Sequence, residues 1–216
     1  MNHPLPFPSP PIRSSLRSIT IAALATLAIA SSASAQIWNE TGDAGEFPGT
    51  AQTTVGPGAI TEINGNLAAA ADVDMYCIRV TNPSGFFASL QCVVNQGPDL
   101  RIFNSAGIGV SANYLCQSGA KFVSGAFATT VGTYYLTVTF HGREPFVGTD
   151  AIWQSINGTE QAPNGPGAGG VVNTWLGNGN VQPINPYRII LTGASFCDDA
   201  TPTSSESWGA LKLIYR

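Results

Sequence analysis

The chain has 216 residues, with 13 acidic against 9 basic side chains and only 10% charged residues in all. A net charge of −4 excludes the basic surface that nucleic acid or anionic lipid needs. Lysine and glutamate, the usual coat of exposed helices, are scarce beside 24 glycines, which argues for strands and turns.

Arg13 and Arg17 precede an apolar run at 19–30, and Ala33-Ser34-Ala35 then gives the small-residue pattern of signal-peptidase cleavage. The run is too short to span a bilayer, so residues 1–35 are expected to be a removed signal peptide. No membrane span is expected after cleavage. The mature chain then starts near Gln36 and keeps 181 of the 216 residues, enough for one domain with its own core. Losing two of the nine basic residues and no acid makes its net charge −6. The expected location is extracellular, cell-surface or periplasmic.

Residues 36–51 are polar and turn-rich and read as an ordered leading loop, with Trp38 and Phe47 as plugs on the core. Residues 59–67 form a predicted strand, with a turn at Asn64-Gly65. The next stretch, 72–80, organises the chain. Tyr76, Ile78 and Val80 alternate with Met75, Cys77 and Arg79, the period-2 pattern of a strand with one face on a core. Asp72 and Asp74 at its head point to the same side, as an anchored sheet edge or as half of a cation site. A turn at Asn82-Pro83-Ser84-Gly85 leads to a return strand at 86–94. A short strand at 99–103 ends in Asn104-Ser105-Ala106-Gly107. Strands at 122–129 and 133–140 form a predicted pair across Val131-Gly132. Residues 145–186 are a long Gly-rich loop carrying Trp153 and Trp175, and loops of this length are either functional or disordered. Residues 187–193 give a last strand with Tyr187, Ile189 and Leu191 on one face. Seven or eight short strands without a helical period predict an all-β, jelly-roll-like antiparallel β-sandwich of one domain.

Cys77, Cys92, Cys116 and Cys197 all lie in the exported part. An even number in an oxidising compartment predicts two disulfides, with three connectivities open. A metal role for them has no CxxC spacing to support it.

Five motifs in order resemble the bacterial pre-peptidase C-terminal (PPC) domain. They are Gly42-Asp43-Ala44-Gly45, Asp72-Val73-Asp74-Met75-Tyr76, residues 99–107, Val131-Gly132-Thr133-Tyr134-Tyr135-Leu136, and residues 187–193. The likeness spans roughly 42–196 within a domain placed at 36–200. It implies a secreted bacterial jelly-roll-like sandwich of a kind that often trails a hydrolase, binds calcium in some members, and is similar in fold to collagen-binding modules. The aspartates common in the family after the Gly107 turn are replaced here by Ser111-Ala112-Asn113-Tyr114. Residues 201–216, a Pro/Ser/Thr linker and a short apolar tail, lie beyond the match. The tail is read either as a docking or export signal or as a last element packed on the sandwich.

The resemblance gives the cation site its fuller ligand set: Asp43 and Glu46 from the leading loop closing over Asp72 and Asp74. Calcium, which takes six to eight oxygen ligands, suits such a set. No further cofactor is expected. The competing reading has Asp72 and Asp74 capping turns and solvating a sheet edge. Trp153 and Trp175 could stack on sugar rings or extended peptide, or fold back onto the sandwich. Catalysis is not expected. His141 is the sole histidine for a serine triad, and no Gly-x-Ser-x-Gly elbow exists. The sequence thus predicts a non-enzymatic extracellular binding or structural module. The alternative is a calcium-dependent adhesion module that takes polysaccharide or protein through the Trp loop. A stand-alone hydrolase is the third class.

Overall fold

The computed structural model describes residues 36–91, 97–114, 120–154, 160–179 and 186–198. The expected signal peptide, Cys92, Cys116 and the 201–216 tail lie outside these residues. Fourteen strands and one 3₁₀ turn make up the regular structure, with no α-helix among the described residues. No helix there is long and apolar enough to cross a membrane. The all-β expectation is borne out.

Five strands form one sheet in the order β1 (Gln36–Asn39), β3 (Ile60–Asn66), β13 (Pro186–Thr192), β5 (Phe87–Gln91), β8 (Ala120–Ser124). The second sheet runs β14 (Ala194–Phe196), β4 (Val73–Val80), β9 (Gly132–Thr139), β6 (Asp99–Asn104), β7 (Gly109–Asn113), with β2 (Gln52–Thr53) also paired to β4. Pairing is antiparallel except for β1 on β3 and β2 on β4, which are parallel. The leading segment is therefore more than a loop, since it places one short strand in each sheet. Its two predicted plugs behave as plugs. Trp38 packs on the main core, edge-on to Phe196 at 6.4 Å, and Phe47 packs on a second apolar cluster.

The main core lies between the sheets. It takes Tyr76, Ile78 and Val80 from β4, Leu136 and Val138 from β9, and Tyr187, Ile189 and Leu191 from β13. Alternation correctly identified these inward sets. It did not reveal that β4 is buried on its other face too. Val73 and Met75 join Phe103, Ile152, Trp153, Val172 and Trp175 in a second cluster on the outer side of the six-stranded sheet. The cover comes from the segment expected to be one long loop. It contains β10 (Glu144–Val147), β11 (Asp150–Ala151) and β12 (Thr174–Leu176), which pair as a small third sheet. Trp153 and Trp175 are only 4% exposed. Each ring meets Phe103 edge-on, at 5.7 and 6.3 Å. The expectation that they stack on a ligand is thus overturned. Burying one such ring is worth roughly 2–3 kcal/mol by area, and in this fold that gain goes to covering β4 and β6.

Three local expectations are also corrected. Asn64-Gly65 is not a turn, because β3 continues through it and Gly65 pairs with Tyr187. A side chain at 65 would collide with the hydroxyls of Tyr187 and Tyr76, so the glycine serves close approach and not chain reversal. The strand after the Asn82 turn does not return on β4; β5 pairs instead with β13 and β8. Likewise β8 and β9 are not a pair, since β9 lies between β4 and β6 in the opposite sheet. Both short connections cross between sheets, which strand spacing alone cannot distinguish from a hairpin.

Cys77 in β4 and Cys197 just after β14 form a disulfide across 120 residues of chain. It fastens the last strand of the sheet to its most buried one. Replacing both cysteines by serine should lower stability by about 2–5 kcal/mol. Denaturant unfolding of the double variant against wild type measures this, and an unchanged midpoint would contradict it.

Candidate metal centre

Four carboxylates gather where the leading segment crosses the end of the sandwich. Asp74 is the second residue of β4 and shares its inward face with Tyr76, while Asp72 lies two residues earlier on the same side. Asp72 closes a turn in which its Oδ2 accepts from Ala68 N at 2.5 Å and its own N–H donates to Ala69 O at 3.0 Å. Asp43 comes from the leading loop. Single ligand oxygens of Asp43, Asp72 and Asp74 all lie within 4.8 Å of one another. The sequence placed these three together correctly.

The fourth expected ligand is corrected. Glu46 is exposed and stands outside the cluster, and its contribution is a carbonyl that accepts from Trp175 Nε1 at 2.9 Å. Glu40 takes the place instead. It follows β1 directly, its Oε2 accepts from Asn66 N at 2.7 Å, and its Oε1 accepts from Ala44 N at 3.2 Å. Glu40, Asp43 and Asp72, with Gly42, Asn66 and Ala68, line a cavity of about 220 Å³. Glu40 was missed because its role depends on the parallel pairing of β1 with β3. No local motif marks it.

The loop is held in place by backbone bonds. Met75 N donates to Gly45 O at 3.0 Å and Gln52 N to Ala44 O at 2.9 Å. Gly45 has φ of +69° and abuts Thr50, so a side chain there would be strained on both counts. Gln52 adds a side-chain clamp, accepting from Trp38 Nε1 at 2.8 Å and donating to Thr41 O at 2.9 Å.

Asp74 is fully buried, which overturns its reading as a solvated edge residue. Its Oδ2 accepts from Tyr187 Oη at 2.6 Å, and Tyr187 in turn meets Tyr76 Oη at 2.7 Å. Its Oδ1 has no hydrogen-bond partner among the described residues. Burial pushes the Asp74 carboxyl up to about 8; the Tyr187 hydrogen bond opposes this, while negative Glu40, Asp72 and Asp43 reinforce it. Burial also raises Glu40. A buried carboxyl with one unpartnered oxygen, in a group crowded by three further acids, fits a cation. The donors are all oxygens, without sulfur or imidazole, which suits Ca²⁺ far better than a soft metal.

A serine triad would need His141 to meet a buried acid and a serine. His141 Nδ1 does lie 3.2 Å from Oδ2 of buried Asp99. No serine hydroxyl is hydrogen-bonded to it among the described residues. No protein-family model matches the chain, and comparison with curated proteins finds no match either. The class defined by the fold is therefore a disulfide-tied β-sandwich, and its distinguishing feature is an acidic cavity at one end.

In cation-free protein, Asp74 keeps its proton up to about 8 when folded but releases it near 3.8 when unfolded. The folded state binds more protons between these values, so the Asp74 contribution to stability falls as pH rises through that window. Asp74→Asn keeps an acceptor for Tyr187 and removes the titration. In chelator, the melting temperature of wild type should fall relative to Asp74→Asn from pH 5 to about 8, the upper end of that window. His141 titrates in both proteins and cancels, so parallel curves would refute the assignment.

Proposed function

We propose that this is an exported, non-enzymatic β-sandwich module of the PPC type, with calcium tying its leading segment to the domain. The carrying observation is the convergence of one oxygen each from Asp43, Asp72 and Asp74 within 4.8 Å of one another. Beside it stands the separate finding that buried Asp74 Oδ1 has no hydrogen-bond partner among the described residues. The order of the PPC-like motifs supports the family reading, since they fall on the leading loop, β4, β6 with its turn, β9 and β13. Asp43, Asp72, Asp74 and Glu40 are the protein ligands, with Asn66 within reach on the cavity wall. Calcium there neutralises the cluster and orders the loop. The module would act as a rigid extracellular part that binds a polysaccharide or protein, or as a structural unit. A binding surface built on Trp153 and Trp175 is not part of this proposal, because both are buried.

Thermal unfolding of the mature chain in millimolar calcium against chelator tests the reading. A ligand at a hundredfold excess over its dissociation constant stabilises by about 2.7 kcal/mol, which should raise the melting temperature by several degrees. Asp43→Ala, at an exposed position, should abolish most of the shift without affecting folding in chelator. Glu46→Ala should leave it intact. If wild type shows no shift, or Asp43→Ala keeps it, calcium is not the ligand of this cavity.

A further inference from the structure

A second charged cluster links the two sheets on the β6–β8 side. Lys121 belongs to β8 of the five-stranded sheet, and Asp99 opens β6 of the six-stranded one. Both side chains are completely buried, and Lys121 Nζ lies 2.7 Å from Asp99 Oδ1. We propose that Lys121 and Asp99 condense to an intramolecular amide, a covalent crosslink between the two sheets.

The surroundings fit the product as well as the ion pair. Lys121 Nζ also donates to Gly97 O at 2.7 Å, and the N–H of an amide would keep that bond. Asp99 Oδ2 is held by Arg101 Nη2 at 3.4 Å and His141 Nδ1 at 3.2 Å, so it would remain as the amide carbonyl oxygen with its partners in place. Only Oδ1 leaves. Charge stays balanced as well. Arg101 keeps Glu144 Oε2 as its counter-ion at 2.9 Å, and it also donates to Tyr114 Oη, Thr139 Oγ1 and the Arg143 carbonyl. A buried ion pair, costly to desolvate, becomes one neutral group.

The step needs no outside reagent. The Lys121 ammonium passes a proton to Asp99 Oδ1 across their contact, leaving a neutral amine and a carboxylic acid. Burial favours this by making the ammonium more acidic, although the negative Asp99 opposes it. The amine lone pair attacks Asp99 Cγ and forms the C–N bond. His141 Nδ1 lies 3.3 Å from Oδ1 and is raised chiefly by its hydrogen bond to Asp99. The nitrogen passes its surplus proton to Oδ1 across their 2.7 Å contact, completing the leaving water, and the His141 hydrogen bond steadies that oxygen as it departs. The Cγ–Oδ1 bond breaks, and one water departs on the side where His141 is 35% exposed. Fixed contact between the reacting groups supplies the effective concentration that the same pair lacks in solution.

Intact mass of the folded, exported chain, reduced and alkylated, is the test. Wild type should weigh one water less than its sequence requires. Its digest should contain a branched peptide joining the Asp99 and Lys121 segments, with no tryptic cleavage after Lys121. Lys121→Arg and Asp99→Ala should return the full sequence mass, and His141→Ala should leave a mixture that converts slowly. Wild type at full mass with cleavage after Lys121 overturns the proposal, and this reading does not depend on whether the variants fold. A water loss located anywhere but in the branched peptide, such as a succinimide at Asp99, overturns it equally.

Discussion

The rest of the structure depends on β4 being buried on both faces. Its inward residues Tyr76, Ile78 and Val80 fill the space between the sheets, and Val73 and Met75 on the other side lie under the third sheet. Each such side chain contributes roughly 1.5–3 kcal/mol on burial, so this one strand carries a large share of the hydrophobic stabilisation. It is also the most connected strand, pairing with β9 along its whole length and with both β14 and β2 on its other edge. The disulfide leaves from its middle at Cys77. A strand with no free face and no free edge fixes the register of everything around it, because slipping by one residue would exchange the two cores.

Such a strand is a costly place for a carboxylate, yet Asp74 lies on it. The cost can be met in two ways, and the molecule contains an example of each. At Asp99 the anion is surrounded by Lys121, Arg101 and His141, so charge is balanced by side chains of the protein itself. At Asp74 the neighbours are Glu40, Asp72 and Asp43, and the tyrosine pair gives a hydrogen bond without positive charge. The first arrangement balances its charge within the protein, both as the ion pair and as the proposed amide. The second is complete only with a proton or a cation, and the deficit of positive charge is the physical ground for the calcium reading.

The inward face of each main strand was legible in the sequence, because alternation encodes burial on one side directly. Tyr187, Ile189 and Leu191 are an example. Which strands pair was not legible. Asn82-Pro83-Ser84-Gly85 and Val131-Gly132 have the residues of tight turns, but a turn between sheets uses the same chemistry as a hairpin. Met75 beside Cys77 and Arg79 gave no sign of a second core, since its cover comes from Trp153 and Trp175, some eighty to a hundred residues further on. The Gly-rich composition of 145–186 concealed that cover, because glycines there allow close backbone packing as readily as they allow looseness. Three of the four site acids were legible. Glu40 was not, as its position depends on β1 joining β3 in parallel, a pairing that leaves no periodic mark in four residues.

The leading segment explains why a cation at this place would matter beyond a local loop. β1 joins the five-stranded sheet and β2 the six-stranded one, so residues 40–51 cross from one sheet to the other. Glu40 and Asp43 lie within this crossing, whereas Asp72 and Asp74 belong to the head of β4. Repulsion between the acids of the crossing and Asp72, joined by Asp74 once it loses its proton near 8, therefore acts between the crossing and the strand, and pushes the leading segment off the end of the sandwich. Protonation would remove that force, and a cation shared between the two sides would replace it with attraction. On the calcium reading the ion would couple both sheets through the crossing at one end of the domain. With the Lys121–Asp99 contact on the other side, the two sheets would be held at two separate points, while Cys77–Cys197 ties β14 to β4 within the six-stranded sheet. If the chain is exported as proposed, that rigidity would limit the transient opening on which proteases act.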